Sequence, residues 1–187
     1  MRIIAGLYRS RSLEAPPGLA TRPTSDRLRE TLFNVLAPRI QGAAFLDLYA
    51  GSGAVGIEAL SRGAASVEFV ERAPAALKVL RANLARLGLT TGFRIHAASV
   101  KTAVPRINPL AKFDLVFLDP PYDAAAEYEA TLGLLGGSAA GLLAAGALVI
   151  AEHRKKERLE ERYGKLTRTR LLEQGDAALS YYAAADD

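Results

Sequence analysis

The chain has 187 residues, with 24 Lys and Arg against 20 Asp and Glu, half of its residues hydrophobic, and neither Cys nor Trp. That length suits one domain with a sizeable core, and the missing cysteine excludes a disulfide framework, a thiolate zinc site and a covalent thiol nucleophile. No apolar run approaches the ~18 residues of a membrane span, and the first residues lack the apolar stretch of a secretory signal, so a cytoplasmic protein without a membrane partner or a metal is expected.

The net charge of +4 is unevenly spread. Residues 1–39 carry seven Arg against Glu14, Asp26 and Glu30, and residues 154–170 carry eight basic against three acidic side chains. The middle is near neutral and the last 17 residues are acidic. Two basic flanks around a neutral centre suit a nucleic-acid partner, although a solvated basic face produces the same pattern.

In chain order, Ile3-Ile4-Ala5 and residues 10–13 predict a small hairpin around Gly6. Arg22-Pro23-Thr24 then leads into a helix with Leu28, Leu32, Val35 and Leu36 on one face, which Pro38 is expected to stop. From residue 44 short apolar runs alternate with helical patterns. Strands are predicted at 44–48, 66–70, 94–97, 115–118 and 147–152, with helices at 54–62, ended by Gly63, and at 74–87, opened by Pro74. Segments 165–172 and 177–183, joined by Glu173-Gln174-Gly175-Asp176, predict an antiparallel hairpin. The expected fold is α/β: a doubly wound, mostly parallel, seven-stranded Rossmann-like sheet with an antiparallel C-terminal hairpin and a small N-terminal extension. Residues 1–39 form the extension and 40–187 the sheet domain.

Asp47-Leu48-Tyr49-Ala50-Gly51-Ser52-Gly53-Ala54-Val55-Gly56 joins the first strand to the first helix. Its G-x-G-x-x-G spacing allows a tight turn and close approach to a nucleotide-like ligand, but does not name that ligand. Two carboxylates narrow the choice. Glu71 ends the second strand where an acid can hold a ribose. Asp47 lies beside the loop, where it would repel a pyrophosphate and attract a cation, which favours S-adenosylmethionine over a dinucleotide. A cap for the following turn or helix is the alternative role for Asp47.

Asp119-Pro120-Pro121-Tyr122 follows the apolar strand at 115–118. Two prolines stiffen the step at a strand's carboxyl end, the edge where α/β sheets bind ligands. The Asp119 carboxylate and Pro120 carbonyl can accept hydrogen bonds from a planar exocyclic amine while Tyr122 stacks on its base. His96 reads as a strand residue and His153 as a surface residue.

Together, Asp47 to Gly53, Glu71 and Asp119 to Tyr122 resemble the motif set of class I S-adenosylmethionine-dependent methyltransferases that act on exocyclic amines. More narrowly, Arg2-Ile3-Ile4-Ala5-Gly6, Arg22-Pro23-Thr24-Ser25-Asp26-Arg27-Leu28-Arg29-Glu30-Thr31-Leu32-Phe33-Asn34 and Gly56-Ile57-Glu58-Ala59-Leu60-Ser61-Arg62-Gly63 resemble the bacterial 16S rRNA guanine-N2 methyltransferases of the RsmD type. The resemblance implies methyl transfer, by a monomeric enzyme, to a guanine N2 amine of 16S rRNA within a small-subunit assembly intermediate. It implies catalytic roles for Asp119, Pro120 and Tyr122, and cofactor contacts from Asp47, Tyr49, Gly51, Ser52, Gly53 and Glu71. Ser99 is assigned the adenine end, where many relatives carry an acid or amide. Arg2, Arg9, Arg11, Arg22, Thr24, Asp26 and Arg27 are assigned to RNA, with Arg29 as a further phosphate ligand. An adenine-N6 methyltransferase would use the same tetrapeptide. A nicotinamide-dependent oxidoreductase would share only the glycine loop and Glu71, and a noncatalytic RNA-binding module only the basic flanks.

Overall fold

The computed structural model describes residues 1–15, 26–121 and 125–184. Strands β1 (Ala44–Leu48), β2 (Ser66–Glu71), β3 (Phe93–Ala97), β4 (Phe113–Leu118) and β5 (Leu143–Arg154) lie parallel, while β6 (Arg162–Tyr163), β7 (Leu166–Gln174) and β8 (Ala177–Ala184) complete the sheet antiparallel. The order is β3-β2-β1-β4-β5-β8-β7-β6. The sheet therefore has eight strands where seven were expected, because β6 is a two-residue edge strand too short to carry a periodic signal.

Side-chain alternation assigns each strand residue to one of two cores. On β1 and β4, Phe45, Leu115 and Phe117 face helices α1 (Asp26–Ile40), α2 (Ala54–Ser61) and α3 (Pro74–Arg86). Leu46, Leu48, Val116 and Leu118 face α4 (Val100–Ala103) and α5 (Ala125–Gly136). Both faces are covered, so apart from Asp47 and Asp114 these strands are apolar, and each fully buried Phe or Leu contributes roughly 1.5–3 kcal/mol by leaving water.

Helix α1 docks as its periodicity predicts, through Leu28, Leu32 and Leu36, with Phe33 stacked on Phe45 at 6.5 Å between ring centroids. It does not stop at Pro38. Proline in the last turn removes one backbone donor, and burial of Ile40 carries the helix two residues further. The N-terminal hairpin reduces to one antiparallel bridge, Arg2 with Ser12, because the segment satisfies its backbone elsewhere. The buried Glu58 carboxylate on α2 accepts the Ile4 and Ala5 amides at 2.8 and 3.0 Å, and Ser61 Oγ accepts the Tyr8 amide.

Two side chains depart from their sequence assignment. Arg29 is fully buried: it pairs with Asp26 at 2.9 Å, donates to the Arg2 carbonyl and lies 3.8 Å from Glu58. Its charge is consumed inside the fold, so it is no phosphate ligand. His153 is 3% exposed, with Nδ1 donating to the Arg154 carbonyl and Nε2 accepting from Ser180, both at 2.9 Å. Burial holds its pKa below the ordinary histidine value. The neighbouring basic run concealed this, because β5 is internal and its residues alternate into the sheet's interior.

Candidate active site

The chain passes outward from β1 to β2 and β3, then returns to add β4 on the other side of β1. This reversal splits the connections at the strands' carboxyl ends and opens a crevice there. A cleft of ≈ 340 Å3 occupies that position. Asp47, Tyr49, Gly51 and Ser52 line it from the loop after β1, Glu71 and Arg72 from the end of β2, Ser99 from beyond β3, and Asp119 and Pro120 from beyond β4.

The loop geometry divides the three glycines by task. Gly51 lines the cleft, and a Cβ there would meet nothing closer than the Tyr49 carbonyl at 4.0 Å, so a side chain would project into free space. Gly53, with φ +80°, opens α2 and lies against Leu80, outside the cleft lining. A Cβ on Gly56 would come within 2.3 Å of the Phe69 ring, so this glycine serves close helix–sheet packing. Only the first glycine is thus free to meet a ligand.

Asp47 is 2% exposed, and its Oδ2 accepts the Gly56 amide at 2.9 Å. It caps the start of α2, the alternative role read from the sequence, and it also lines the cleft. Burial, outweighing the Gly56 hydrogen bond, pushes its pKa up to about 7, and the Glu71 charge adds to the rise. Glu71 accepts the Gly51 amide at 2.8 Å through Oε2 and the Ala73 amide at 2.7 Å through Oε1. One carboxylate thereby fixes both the glycine loop and the approach to α3. Ser99 caps α4, accepting the Thr102 amide.

Asp119 is half-buried at the end of β4 and Pro120 is buried. Burial, then the Glu152 and Asp47 carboxylates, raise the Asp119 pKa well above the usual carboxylate range. Glu152 itself is 1% exposed on β5. The Asp119 carboxylate is therefore a stronger proton acceptor than an ordinary one.

Of the lining residues that escaped sequence reasoning, four bear on the chemistry. Arg72 follows Glu71 directly, and its proximity to that acid was the available signal. Met1 and Ala15 reach the cleft from the N-terminal segment because Asn83 on α3 ties that segment to the loop. Its Oδ1 accepts the Glu14 amide at 2.9 Å, and its Nδ2 donates to the Glu14 and Ser52 carbonyls at 3.1 and 3.0 Å. Glu127 comes from an Ala-rich helix with no motif, held by the Tyr49 hydroxyl at 2.8 Å. Of the residues assigned to RNA, Arg2, Arg9, Arg11, Asp26 and Arg27 are exposed on the N-terminal side. Asp26 pairs with Arg29 and stands 4.0 Å from Arg2. Arg22, Thr24 and Tyr122 lie outside the described residues.

A cation-attracting carboxylate beside a glycine loop, facing a stiff carboxylate-carbonyl step across one crevice, suits transfer of a small group from a cationic donor to an amine. The proteins that join this chemistry to this sheet are the S-adenosylmethionine-dependent methyltransferases. Residues 1–183 match the family model described as "Conserved hypothetical protein 95". The chain is 37% identical over 186 residues to "Putative rRNA methyltransferase YlbH" of Bacillus subtilis, covering 97% of this chain and 98% of that one. It is 41% identical over 152 residues to "Ribosomal RNA small subunit methyltransferase D" of Escherichia coli, covering 81% and 74%. The solved structure of "Putative methyltransferase yhhF" from Escherichia coli superimposes with a TM-score of 0.85 at 35% identity, covering 98% and 97% of the two chains. The chain belongs to the family of the small-subunit rRNA methyltransferase D proteins.

Proposed function

We propose that this enzyme methylates the exocyclic N2 amine of a guanine in 16S rRNA, using S-adenosylmethionine. The observation that carries the reading is the pairing, in one cleft, of the buried Asp47 beside the glycine loop with the raised carboxyl of Asp119 next to the Pro120 carbonyl. The cleft fits the cofactor: Gly51 leaves free space, and the charge concentrated there is that of carboxylates, which suits a donor bearing a sulfonium and an ammonium and no phosphate. When bound, S-adenosylmethionine supplies an electrophilic methyl group.

In this reading Asp47 meets the donor's ammonium, Glu71 its ribose hydroxyls and Ser99 its adenine end. A guanine amine is a weak nucleophile because its lone pair is delocalised into the ring. The Asp119 carboxylate and Pro120 carbonyl accept its two N–H bonds and favour pyramidalisation. Positive charge develops on nitrogen as the new C–N bond forms and the S–C bond breaks, and Asp119 disperses it. Its raised pKa also lets it take the released proton. Tyr122 is assigned the stacking face.

Nucleosides of rRNA from cells with and without the gene, resolved by mass spectrometry, test base and atom together. Loss of N2-methylguanosine with the gene is the expected result; loss of N6-methyladenosine would support the adenine alternative. The family resemblance extends the reading to a monomeric enzyme acting on a small-subunit assembly intermediate.

Glu71→Ala is expected to weaken S-adenosylhomocysteine binding on the order of tenfold to a hundredfold. It removes a charge-assisted contact of about 1.5–3 kcal/mol and also releases the Gly51 amide. Calorimetry giving unaltered affinity would return Glu71 to a purely structural role.

The N-terminal segment is read as the RNA-facing extension, with Arg9, Arg11 and Arg27 exposed on it and on the start of α1. Replacing these three with alanine should weaken RNA binding and reduce the log-log salt slope by about 0.7 to 0.9 per lost phosphate contact. Melting temperature should hold, since exposed arginines add little to folding. An unchanged slope in a filter-binding series would move the RNA surface to the basic stretch at 154–170.

A further inference from the structure

We propose that Glu127 selects guanine over adenine by accepting the N1–H of the target base while that base's N2 amine sits at the Asp119-Pro120 step. The inference rests on the acceptor role read above for that step and deepens it. Glu127 lines the same cleft as Asp119, Pro120 and Pro121, and it does so from α5, the helix that follows β4. Glu71, Arg72 and Ser99, which line the cleft from beyond β2 and β3, stand on the other side of the switch point. Glu127 is therefore on the acceptor side.

The side chain is held in place. Tyr49 Oη donates to Glu127 Oε2 at 2.8 Å and lies 2.6 Å from Thr131 Oγ1, one turn further along α5. Tyr49 adopts φ +62°, a conformation that costs a non-glycine residue energy and is found where the surroundings enforce it. The contact joins the glycine loop to α5. Among the described residues, Glu127 Oε1 has no hydrogen-bond partner, so one acceptor stays available to a ligand.

Purine edges give this acceptor its discrimination. Guanine presents the N2 amine and N1–H as adjacent donors. Adenine, turned to offer its N6 amine in the same position, presents the bare N1 lone pair beside it. A carboxylate accepts from the first and opposes the second, and a desolvated charge left without a donor is costly. Asp119 and Pro120 bind either amine equally well, so the neighbouring group must make the choice.

Glu127→Gln tests this, because glutamine keeps the volume and the acceptor for Tyr49 while its amide N–H can donate to adenine N1. The substrates are small ribosomal subunits from cells lacking the gene, carrying either guanine or an engineered adenine at the mapped position. The wild-type enzyme should methylate guanine alone. In the variant, kcat/KM on guanine should fall at least tenfold, transfer to adenine should become measurable, and S-adenosylhomocysteine affinity and melting temperature should stay unchanged. An unaltered guanine preference in the variant overturns the inference and leaves the guanine reading intact, as does a loss on guanine with no transfer to adenine. Wild-type transfer to adenine, or to neither base, overturns both.

Discussion

Asp119→Ala is expected to lower single-turnover methylation by about 10²- to 10⁴-fold, the range for loss of a positioned proton acceptor, while S-adenosylhomocysteine affinity stays within a few fold. The carboxyl is assigned to the amine, so its contribution appears in the transition state and the loss falls on kcat. The pH dependence carries the same signature. Burial and the nearby Glu152 and Asp47 carboxylates hold the Asp119 pKa well above the ordinary range, so a proton occupies it at pH values where a free carboxylate would be ionised. Activity should rise with pH through that raised pKa. A cationic cofactor favours the ionised form, so the limb should lie at lower pH in kcat than in kcat/KM. Asp119→Asn should abolish the limb altogether. Near-normal methylation by the alanine variant, or an unchanged limb in the asparagine variant, would remove Asp119 from the chemistry.

For Asp47→Asn, stability and cofactor affinity should move in opposite directions. A rise from 3.8 to about 7 means that the fold carries a penalty of about 4 kcal/mol when the carboxylate is ionised. The folded pKa is the higher one. The favourable contribution of the protonated group is complete below pH 3.8 and is lost as pH rises through about 7. Asparagine keeps an acceptor for the Gly56 amide and carries no charge, so the ligand-free variant should melt several degrees higher than the wild type above pH 7. The gap should close steadily toward pH 4. Cofactor affinity should fall by tenfold or more, because the ammonium loses its counter-charge. Parallel melting curves across pH would contradict the buried-charge account, and undiminished cofactor binding would contradict the ammonium assignment. On the ammonium assignment the residue would stabilise the complex at the expense of the empty protein, a trade common at binding sites.

Individual residues show where sequence reading succeeded. The apolar runs on β1 and β4 and the glycine spacing after β1 set the parallel sheet, the loop and the Asp119-Pro120 step, because strand period, turn chemistry and proline stiffness act over a few residues and leave local marks. Asp47, Glu71 and Asp119 were legible for the same reason: each ends a strand at the sheet edge where ligands bind.

The tertiary structure decided what depends on distant partners. Arg29 and Arg27 look alike in the sequence, yet Arg29 is buried against Asp26 and Glu58 while Arg27 is exposed. His153 lies in a basic run and is nevertheless internal. Met1 and Ala15 reach the cleft through Asn83, 69 residues from the Glu14 it holds, and Glu127 through a hydrogen bond spanning 78 residues. Local propensity cannot encode such contacts, since their energies arise only once the sheet and its helices have enclosed the charges and brought the loops to one edge.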